Sequence, residues 1–257
     1  MKIYTAGMAL LFTIVFMLAP LTRMTITYTS KTVIPALSYH NVTERTGQNP
    51  AYFITPAAFE AQIGSLKNRG FQSVLPEEIY KFYTNGDSLP AKPILISFDD
   101  TRKEHYKTVA PILEKYGFKG TFFIMTVSIG KKNYMSNDDI KELADRGHAI
   151  GHHTWDHQDL RNLPSDQWVT QIDKPKLSLE NAIGKPVLSF AYPFGVWNQN
   201  AISELKERGI TTAFQLSGKS DPDEPLLTLR RIMVAGNWSG DRLIKEINTQ
   251  FNLKDEQ

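Results

Sequence analysis

The sequence predicts an α/β fold, a single distorted (β/α) barrel, from three observations. First, short β-rich runs alternate with helical segments from residue 33 to residue 251, which is typical of parallel strands joined by crossover helices. Second, a chain of 257 residues with 41% hydrophobic content can bury one sizeable core but not two enzyme domains. Third, residues 33–251 contain about seven or eight units of one strand and one helix. This number is expected of a barrel whose chemistry lies at the C-terminal ends of its strands.

The elements follow one another in a regular order. Pro56 sits where a first-turn proline is tolerated, and Phe59 and Leu66 fall on one face of the helix that follows. Pro175 is expected to kink or split a long helical stretch. The apolar β-rich runs are VIPALSY, FQSVL, PILISF, GTFFIM, AIGHH, VLSFAY, TTAFQL and LRRIMV. The helical segments between and after them span 56–68, 76–83, 106–116, 137–146, 166–183, 200–208 and 241–251.

The N-terminus carries a targeting signal. Lys2 precedes an almost uncharged apolar run, so residues 1–21 resemble a signal peptide or a membrane anchor. No A-x-A cleavage site follows, which favours an uncleaved anchor over a removed signal peptide. We therefore expect an extracytoplasmic protein, membrane-anchored or secreted, with a linker at 22–32, a folded domain at 33–251 and a tail at 252–257.

Charge and cysteine content exclude several classes of function. The chain has 29 basic and 27 acidic residues without a basic block, so a nucleic-acid partner is not expected. A neutral or mildly anionic polymer is a better candidate for its partner. The absence of cysteine excludes disulfides, thiolate zinc sites, cysteine nucleophiles and cysteine-linked lipid anchors. Any bound metal must therefore be held by histidine and carboxylate side chains.

Polar residues that could react follow the predicted strands at their ends. PILISF runs into Asp99 and Asp100, AIGHH ends on His153, IPALSY precedes His40, and VLSFAY precedes the PFG sequence at 193–195. Because the C-terminal ends of barrel strands share one rim, we expect these residues to meet there.

The spacing of these residues predicts a metal site. His153 and His157 lie four apart, so on a helical turn they would share one face and could hold one cation. A carboxylate from a neighbouring strand, which we assign to Asp100, completes three ligands and leaves positions open for water and substrate. Asp99 is then free to act as the base. Two imidazoles and one carboxylate suit one divalent ion, zinc first, with cobalt, nickel or iron as alternatives. Thr154 stands where a zincin protease needs glutamate, which excludes that class.

Three motifs in this order resemble a known family. S-F-D-D, H-T-W-D-H-Q-D-L and F-A-Y-P-F-G are similar to the successive motifs of polysaccharide deacetylases, carbohydrate esterase family 4, whose domain is called the NodB homology domain. The resemblance covers about 33–251. It implies metal-dependent removal of N-acetyl groups from an N-acetylglucosamine polymer, with acetate and a free amine as products. It also implies the same roles for both aspartates and both histidines, and a backbone N–H of Phe194 that binds the oxyanion.

The motifs also depart from the family pattern. Thr101 replaces the usual glycine after the aspartate pair, and Ala191-Tyr192 stands where an arginine usually orients the base. Arg231, in LRRIMV, is our candidate for that orienting role, with a surface or structural arginine as the alternative.

The position of the histidines indicates a subfamily. All six lie at or before His157, so the late L-x-H motif that usually supplies the general acid is absent. His40 is our candidate acid, with a structural histidine as the alternative. This layout resembles the circularly permuted branch that deacetylates poly-β-1,6-N-acetylglucosamine in biofilms, and most closely its stand-alone, membrane-associated type.

Other residues have weaker signals. Tyr192, Trp197 and Trp238 could line a sugar groove by stacking, although aromatic side chains also fill cores. We expect His105 to be solvated and His148 to be structural. His152 should face away from the metal, because adjacent strand residues point to opposite faces.

Other functions stay open. A peptidoglycan or chitin-oligomer deacetylase would use the same chemistry on a different polymer. A carbohydrate-binding barrel without turnover is a second alternative, which the intact aspartate and histidine set disfavours. A cytoplasmic small-molecule amidohydrolase is disfavoured by the apolar N-terminus. We expect the protein to be a monomer.

Overall fold

The computed structural model describes residues 33–44, 49–216 and 218–253. The predicted targeting segment, 1–21, and the linker, 22–32, lie outside these residues, as does the tail from 254 onward. Within the described residues, no helix is both long enough and apolar enough to cross a membrane.

The strands follow the β-rich runs of the sequence. Most of them are shorter than those runs, while PILISF forms a strand over its full length. The strands are β1 (Ala36–Tyr39), β2 (Asn41–Val42), β3 (Phe53–Ile54), β4 (Gln72–Ser73), β5 (Pro93–Phe98), β6 (Thr121–Ile124), β7 (Ala149–His152), β8 (Ser189–Ala191), β9 (Thr212–Gln215), β10 (Leu229–Arg230) and β11 (Ile232–Met233).

The helices alternate with these strands as predicted. Thr55 caps the first helix by accepting a hydrogen bond from the Ala58 backbone N–H, and Phe59, Ile63 and Leu66 are buried on its inner face. The helices are α1 (Pro56–Asn68), α2 (Pro76–Asn85), α3 (Ala110–Lys115), α4 (Asn137–Asp145), α5 (Lys174–Ile183), α6 (Gln199–Glu207) and α7 (Gly240–Phe251).

The main sheet is a parallel, nearly closed barrel. Its strands lie in the order β10-β9-β8-β7-β6-β5-β1-β11, with β4 alongside β5, and every pairing in it is parallel. The two-stranded ribbon of β2 and β3 lies outside this sheet. The (β/α) barrel predicted from the alternation of strands and helices is therefore confirmed as a parallel, nearly closed barrel.

One run of sequence brings the two edges of the sheet together. LRRIMV is interrupted at Arg231, so that β10 pairs with β9 while β11 pairs with β1. The Arg231 backbone N–H donates to the Gln215 carbonyl at 2.8 Å, and the Val234 N–H donates to the Ser38 carbonyl at 3.0 Å. The last strand therefore joins the two sides of the barrel at Arg231.

Two helices begin with a wide, π-helical turn. His105–Val109 precedes α3, and Val169–Asp173 precedes α5, each with a proline in the first turn of the α-helix that follows. Proline has no N–H and its ring crowds the preceding turn, so the helix must widen or end there. Pro175 was expected to kink or split its helical stretch; the stretch is instead continuous and widens into the π-helical turn before the proline.

Candidate active site

The predicted rim is assembled as expected from the strand order. His40 follows β1, Asp99 follows β5, and His153 follows β7, all at the C-terminal ends of parallel strands. The PFG turn, Pro193–Gly195, lies beyond β8. Side chains that are far apart in the sequence therefore face one another across one mouth of the barrel.

Asp100, His153 and His157 form a group that could hold a metal ion. One potential ligand atom from each lies within 4.8 Å of the others. Asp100 Oδ1 is 3.8 Å from His153 Nε2 and 4.0 Å from His157 Nε2. His153 Nδ1 donates to the Ala191 carbonyl at 2.7 Å, which fixes its tautomer and leaves Nε2 free to bind a cation. The residues present therefore fit a divalent metal with two nitrogen ligands and one oxygen ligand.

The two histidines meet through a tight loop. The prediction that they share a helical turn is wrong, because Thr154 and His157 both have left-handed backbones, with φ of 62° and 72°. The Thr154 hydroxyl accepts a hydrogen bond from the His157 N–H at 2.8 Å, which holds the turn closed. The two rings come to 4.9 Å between centroids, nearly perpendicular to each other.

The loop is anchored from the second π-helical turn. His152 Nδ1 accepts from the Thr154 N–H at 2.8 Å, and His152 Nε2 donates to the Ile172 carbonyl at 3.1 Å. Gln171 accepts from the Trp155 N–H at 3.2 Å and donates to Asp156 at 2.8 Å. Burial lowers the pKa of His152 to about 3, so its ring stays neutral, with one donor and one acceptor nitrogen. As predicted, His152 does not belong to the metal-binding group.

Asp99 and Arg231 form a buried, bidentate ion pair. Arg231 Nη1 donates to Asp99 Oδ1 at 2.7 Å and Nη2 donates to Oδ2 at 2.9 Å. Arg231 is 0% exposed, so the alternative of a surface arginine is excluded. Burial alone would raise the pKa of the Asp99 carboxyl, but the Arg231 guanidinium outweighs burial and holds the pKa well below its usual range. Asp99 is therefore an oriented, ionised carboxylate beside the metal-binding group.

His40 lies on the other side of Asp99. Its Nε2 is 3.9 Å from Asp99 Oδ2, and the edge of its ring meets Tyr52, with 5.4 Å between ring centroids. Burial lowers the pKa of His40, and the charges of Asp99 and Asp100 oppose this shift. His40 could therefore exchange a proton beside the two carboxylates.

Phe194 occupies the PFG turn in a left-handed conformation, with φ of 61°. Its side chain is 61% exposed and lies edge-on to His157, with 4.5 Å between ring centroids. Gly195 follows with φ of 69°, and a Cβ there would lie 2.3 Å from Leu216 Cβ, so only glycine fits this turn. The turn thus places the Phe194 ring next to His157.

The structure contradicts one of the three predicted aromatic sugar contacts and does not test the other two. The prediction for Tyr192 is wrong, because its ring is 1% exposed and its hydroxyl donates to the Leu227 carbonyl inside the core. Trp197 and Trp238 are partly buried against the hydrophobic cores, and their role in binding sugar stays a prediction. Exposed aromatic rings on the site's own segments are Tyr52, Trp155 and Phe194.

His105 is a site residue that the sequence analysis missed. It was expected to be solvated, but it is fully buried, and its Nε2 donates to the His40 carbonyl at 2.6 Å. Burial lowers the pKa of His105 to about 4. His148 is structural, as predicted, since it accepts from the Gly120 N–H and bonds Glu114. Sequence spacing gave no signal for His105, because its partner lies 65 residues away.

Comparisons with known proteins indicate the family to which the chain belongs. The family model for polysaccharide deacetylase matches residues 86–213. The poly-β-1,6-N-acetyl-D-glucosamine N-deacetylase of Staphylococcus epidermidis is 29% identical over 238 residues, covering 82% of this chain and 82% of the relative. The Streptococcus pyogenes deacetylase PplD, solved in complex with acetate, has a TM-score of 0.76 and 25% identity over 83% of this chain and 97% of its own. A Bacillus cereus polysaccharide deacetylase gives a TM-score of 0.73 and 26% identity over 83% of this chain and 68% of its own.

The chain belongs to the polysaccharide deacetylase family. It is thus a hydrolase of carbon–nitrogen bonds, a polysaccharide N-deacetylase. The segment matched by the family model contains both aspartates, both candidate ligand histidines and the PFG turn, whereas His40 and Arg231 lie outside it.

Proposed function

We propose that the protein removes N-acetyl groups from an extracytoplasmic N-acetylglucosamine polymer, poly-β-1,6-N-acetylglucosamine, and gives acetate and free amines. The observation that carries this proposal is the placement of the buried Asp99–Arg231 pair between His40 and the Asp100, His153 and His157 group. The choice of polymer is supported by the Staphylococcus epidermidis relative, which is named for that substrate. The early position of His40 in the chain supports assignment of the protein to the circularly permuted branch of the family.

A divalent metal completes the proposed site. Asp100, His153 and His157 would hold it, with zinc as the first choice and cobalt, nickel or iron as alternatives. Such an ion, when bound, polarises a carbonyl and lowers the pKa of water from about 15.7 toward about 7.

Asp99 is the proposed general base. Both of its oxygens accept from Arg231, and Oδ2 also accepts from the Ser38 hydroxyl at 3.4 Å. Oδ1 keeps a second lone pair that can accept a proton from water. Because Arg231 lowers the pKa of Asp99, the carboxylate is ionised before the reaction begins and is a weak base, so it depends on its fixed position to take the proton. Arg231 is therefore the proposed orienting residue.

In the proposed reaction, Phe194 acts on the carbonyl oxygen of the acetamide and His40 acts on its nitrogen. The Phe194 backbone N–H donates to the carbonyl oxygen as negative charge develops there. Protonated His40 gives its proton to the nitrogen as the C–N bond breaks, so that the amine leaves neutral. The proton that Asp99 took from water then returns to His40, whose Nε2 lies 3.9 Å away, and the cycle closes.

The proposal includes the protein's location. Residues 1–21 would place the domain outside the cytoplasm, as an anchored or secreted monomer, where the polymer is met. Each deacetylated sugar becomes cationic at neutral pH, which would make the polymer adhere to anionic surfaces.

Acetate release from defined polymers tests this function. We expect the full chain to release acetate faster from poly-β-1,6-N-acetylglucosamine than from chitin oligomers or peptidoglycan, and a preference for either of these would replace the proposed substrate. Binding of the polymer without acetate release would indicate a carbohydrate-binding barrel.

His40→Ala should lose most of its turnover and keep its metal, and near-normal turnover would move the acid role to another residue.

A further inference from the structure

His40 lies where the chain passes from the barrel sheet to the separate ribbon of β2 and β3. Tyr39, the last residue of β1, pairs with Phe98, whereas Asn41 begins β2 and pairs with Phe53 of the separate ribbon. The neighbouring strand β5 cannot continue the ladder past this point, because the chain turns away at Asp100 with φ of 76°. The His40 carbonyl therefore belongs to neither sheet and needs a hydrogen-bond donor from elsewhere.

A side chain supplies that donor. His105 Nε2 donates to the His40 carbonyl at 2.6 Å from a fully buried position. The His105 ring packs against Phe98 at 5.5 Å and Phe122 at 6.1 Å between centroids. His105 begins the first π-helical turn, and its own N–H donates to the Arg102 carbonyl at 3.0 Å. The segment that follows the aspartate pair thus reaches back to hold the end of β1.

The ring of His40 has few other restraints. Among the residues that the structure describes, nothing bonds its buried Nδ1, and its ring contact is the edge of Tyr52. The direction of Nε2 toward Asp99 therefore depends on where the backbone of residue 40 is held. A displacement of about 1 Å at a reacting group can reduce a rate by about 10²-fold.

The chemistry of the His105 site favours a functional reason for histidine. Phenylalanine would fill the space between Phe98 and Phe122 without a buried polar atom. His105 instead buries Nδ1, which has no partner among the described residues, so the site retains a polar ring at a cost in desolvation. What the imidazole provides in return is the N–H that holds the His40 carbonyl.

We infer that His105 is a positioning residue for the deacetylation reaction, which fixes the backbone of His40 so that Nε2 faces Asp99 and the departing nitrogen. This inference rests on the acid role proposed for His40. His105 does not touch the substrate in this arrangement; it acts through the main chain of residue 40.

Variants of His105 in the full, metal-loaded chain test this inference. His105→Phe should lower kcat for acetate release about 10- to 100-fold, with KM and metal content unchanged, because the acid is misplaced and the ligands are not. His105→Gln carries an N–H at nearly the same reach, and it should restore kcat to within about threefold of the wild type. His148→Phe is the matched control, since His148 also packs on Phe122 and lies outside the site; it should lower Tm and leave kcat unchanged.

A double variant separates positioning from general destabilisation. In a His40→Ala background, His105→Phe should cause no further loss of kcat, because there is no acid left to position. Further loss in that background, loss of metal, or equal kcat for the Phe and Gln variants would overturn the inference. If His40→Ala alone keeps its turnover, the acid assignment fails; if it loses turnover while His105→Phe does not, only the positioning role fails.

Discussion

At the scale of single residues, two adjacent carboxylates have different environments. Asp99 continues the direction of β5 into the barrel and meets Arg231, whereas Asp100 has φ of 76° and turns toward the histidines. Consecutive residues of an extended strand point to opposite faces, and the change of backbone at Asp100 brings both side chains to the same mouth. The backbone thus gives the two carboxylates separate surroundings, which supports the proposed division into one base and one ligand.

Asparagine substitutions should separate the two proposed roles. Asp100→Asn removes the charged ligand, so we expect metal binding and acetate release to be lost together. Asp99→Asn leaves the ligands in place, and we expect normal metal content with kcat reduced about 10²- to 10⁴-fold, the usual contribution of a general base. Metal analysis of the purified variants beside an acetate assay measures both. Retained metal and activity in Asp100→Asn would remove this site from consideration.

The sequence predicted the residues that belong to local motifs and missed those that act across the fold. The aspartates and ligand histidines lie in short motifs, so spacing and resemblance found them. Arg231 and His40 were inferred because the family pattern left two roles unfilled. His105 and Gln171 act through tertiary contacts that leave no local signal. Tyr192 was misjudged because a strand-end aromatic can point into the core as readily as into a groove.

At the scale of elements, both π-helical turns hold a loop of the site. His105–Val109 supports the end of β1 through His105, and Val169–Asp173 supports the loop after β7 through Gln171 and the Ile172 carbonyl. The sequence predicted a kink or split near Pro175 but could not show that the helix would widen there or where the widened turn would point its side chains. Such turns often lie at functional sites.

Gln171→Leu should weaken the metal site without touching a ligand. The substitution leaves the Trp155 N–H and Asp156 without their partner, so the loop that carries His157 should loosen. Removing a support of this kind costs about 10- to 100-fold in metal affinity. Metal titration of the apo protein measures the effect, and Gln167→Leu, outside these contacts, is the control. Equal affinity in both variants would show that the loop needs no support from Gln171.

At the scale of the whole molecule, one ion pair joins the site to the closure of the barrel. Arg231 interrupts the final strand between β10 and β11, and its guanidinium crosses the interior to Asp99. The parallel barrel and the approximate positions of the helices were predicted, because periodicity and proline or glycine positions are local. The closure at Arg231 was not, because it depends on strands β9 and β1 from opposite ends of the domain.

Arg231→Met should change both stability and its pH dependence. An unpaired buried carboxylate costs about 3–5 kcal/mol, so the free energy of unfolding should fall by that order at neutral pH. In the wild type the folded pKa of Asp99 is lowered, so its contribution is present above about pH 4 and is lost as the pH falls. In the variant, burial should raise the pKa of Asp99. The difference in the free energy of unfolding between the variant and the wild type should therefore become smaller at acid pH.

Urea unfolding between about pH 3 and pH 7 measures this dependence. Arg230→Met is a matched control, because Arg230 bonds Gln250 at the opposite side of the strand and not Asp99. If the two variants lose equal stability with the same pH dependence, the Asp99 pair does not stabilise the barrel.

The distance along the chain between the two members of this pair has a consequence for biosynthesis. Asp99 and Arg231 are 132 residues apart, so a ribosome completes more than half of the domain after the carboxylate has emerged. Until the last strand arrives, the carboxylate lacks its guanidinium and β1 lacks one of its neighbours. We therefore expect a nascent chain that lacks the last strand to be inactive, and hydrolytic competence to appear in one late step, when Arg231 has joined the fold.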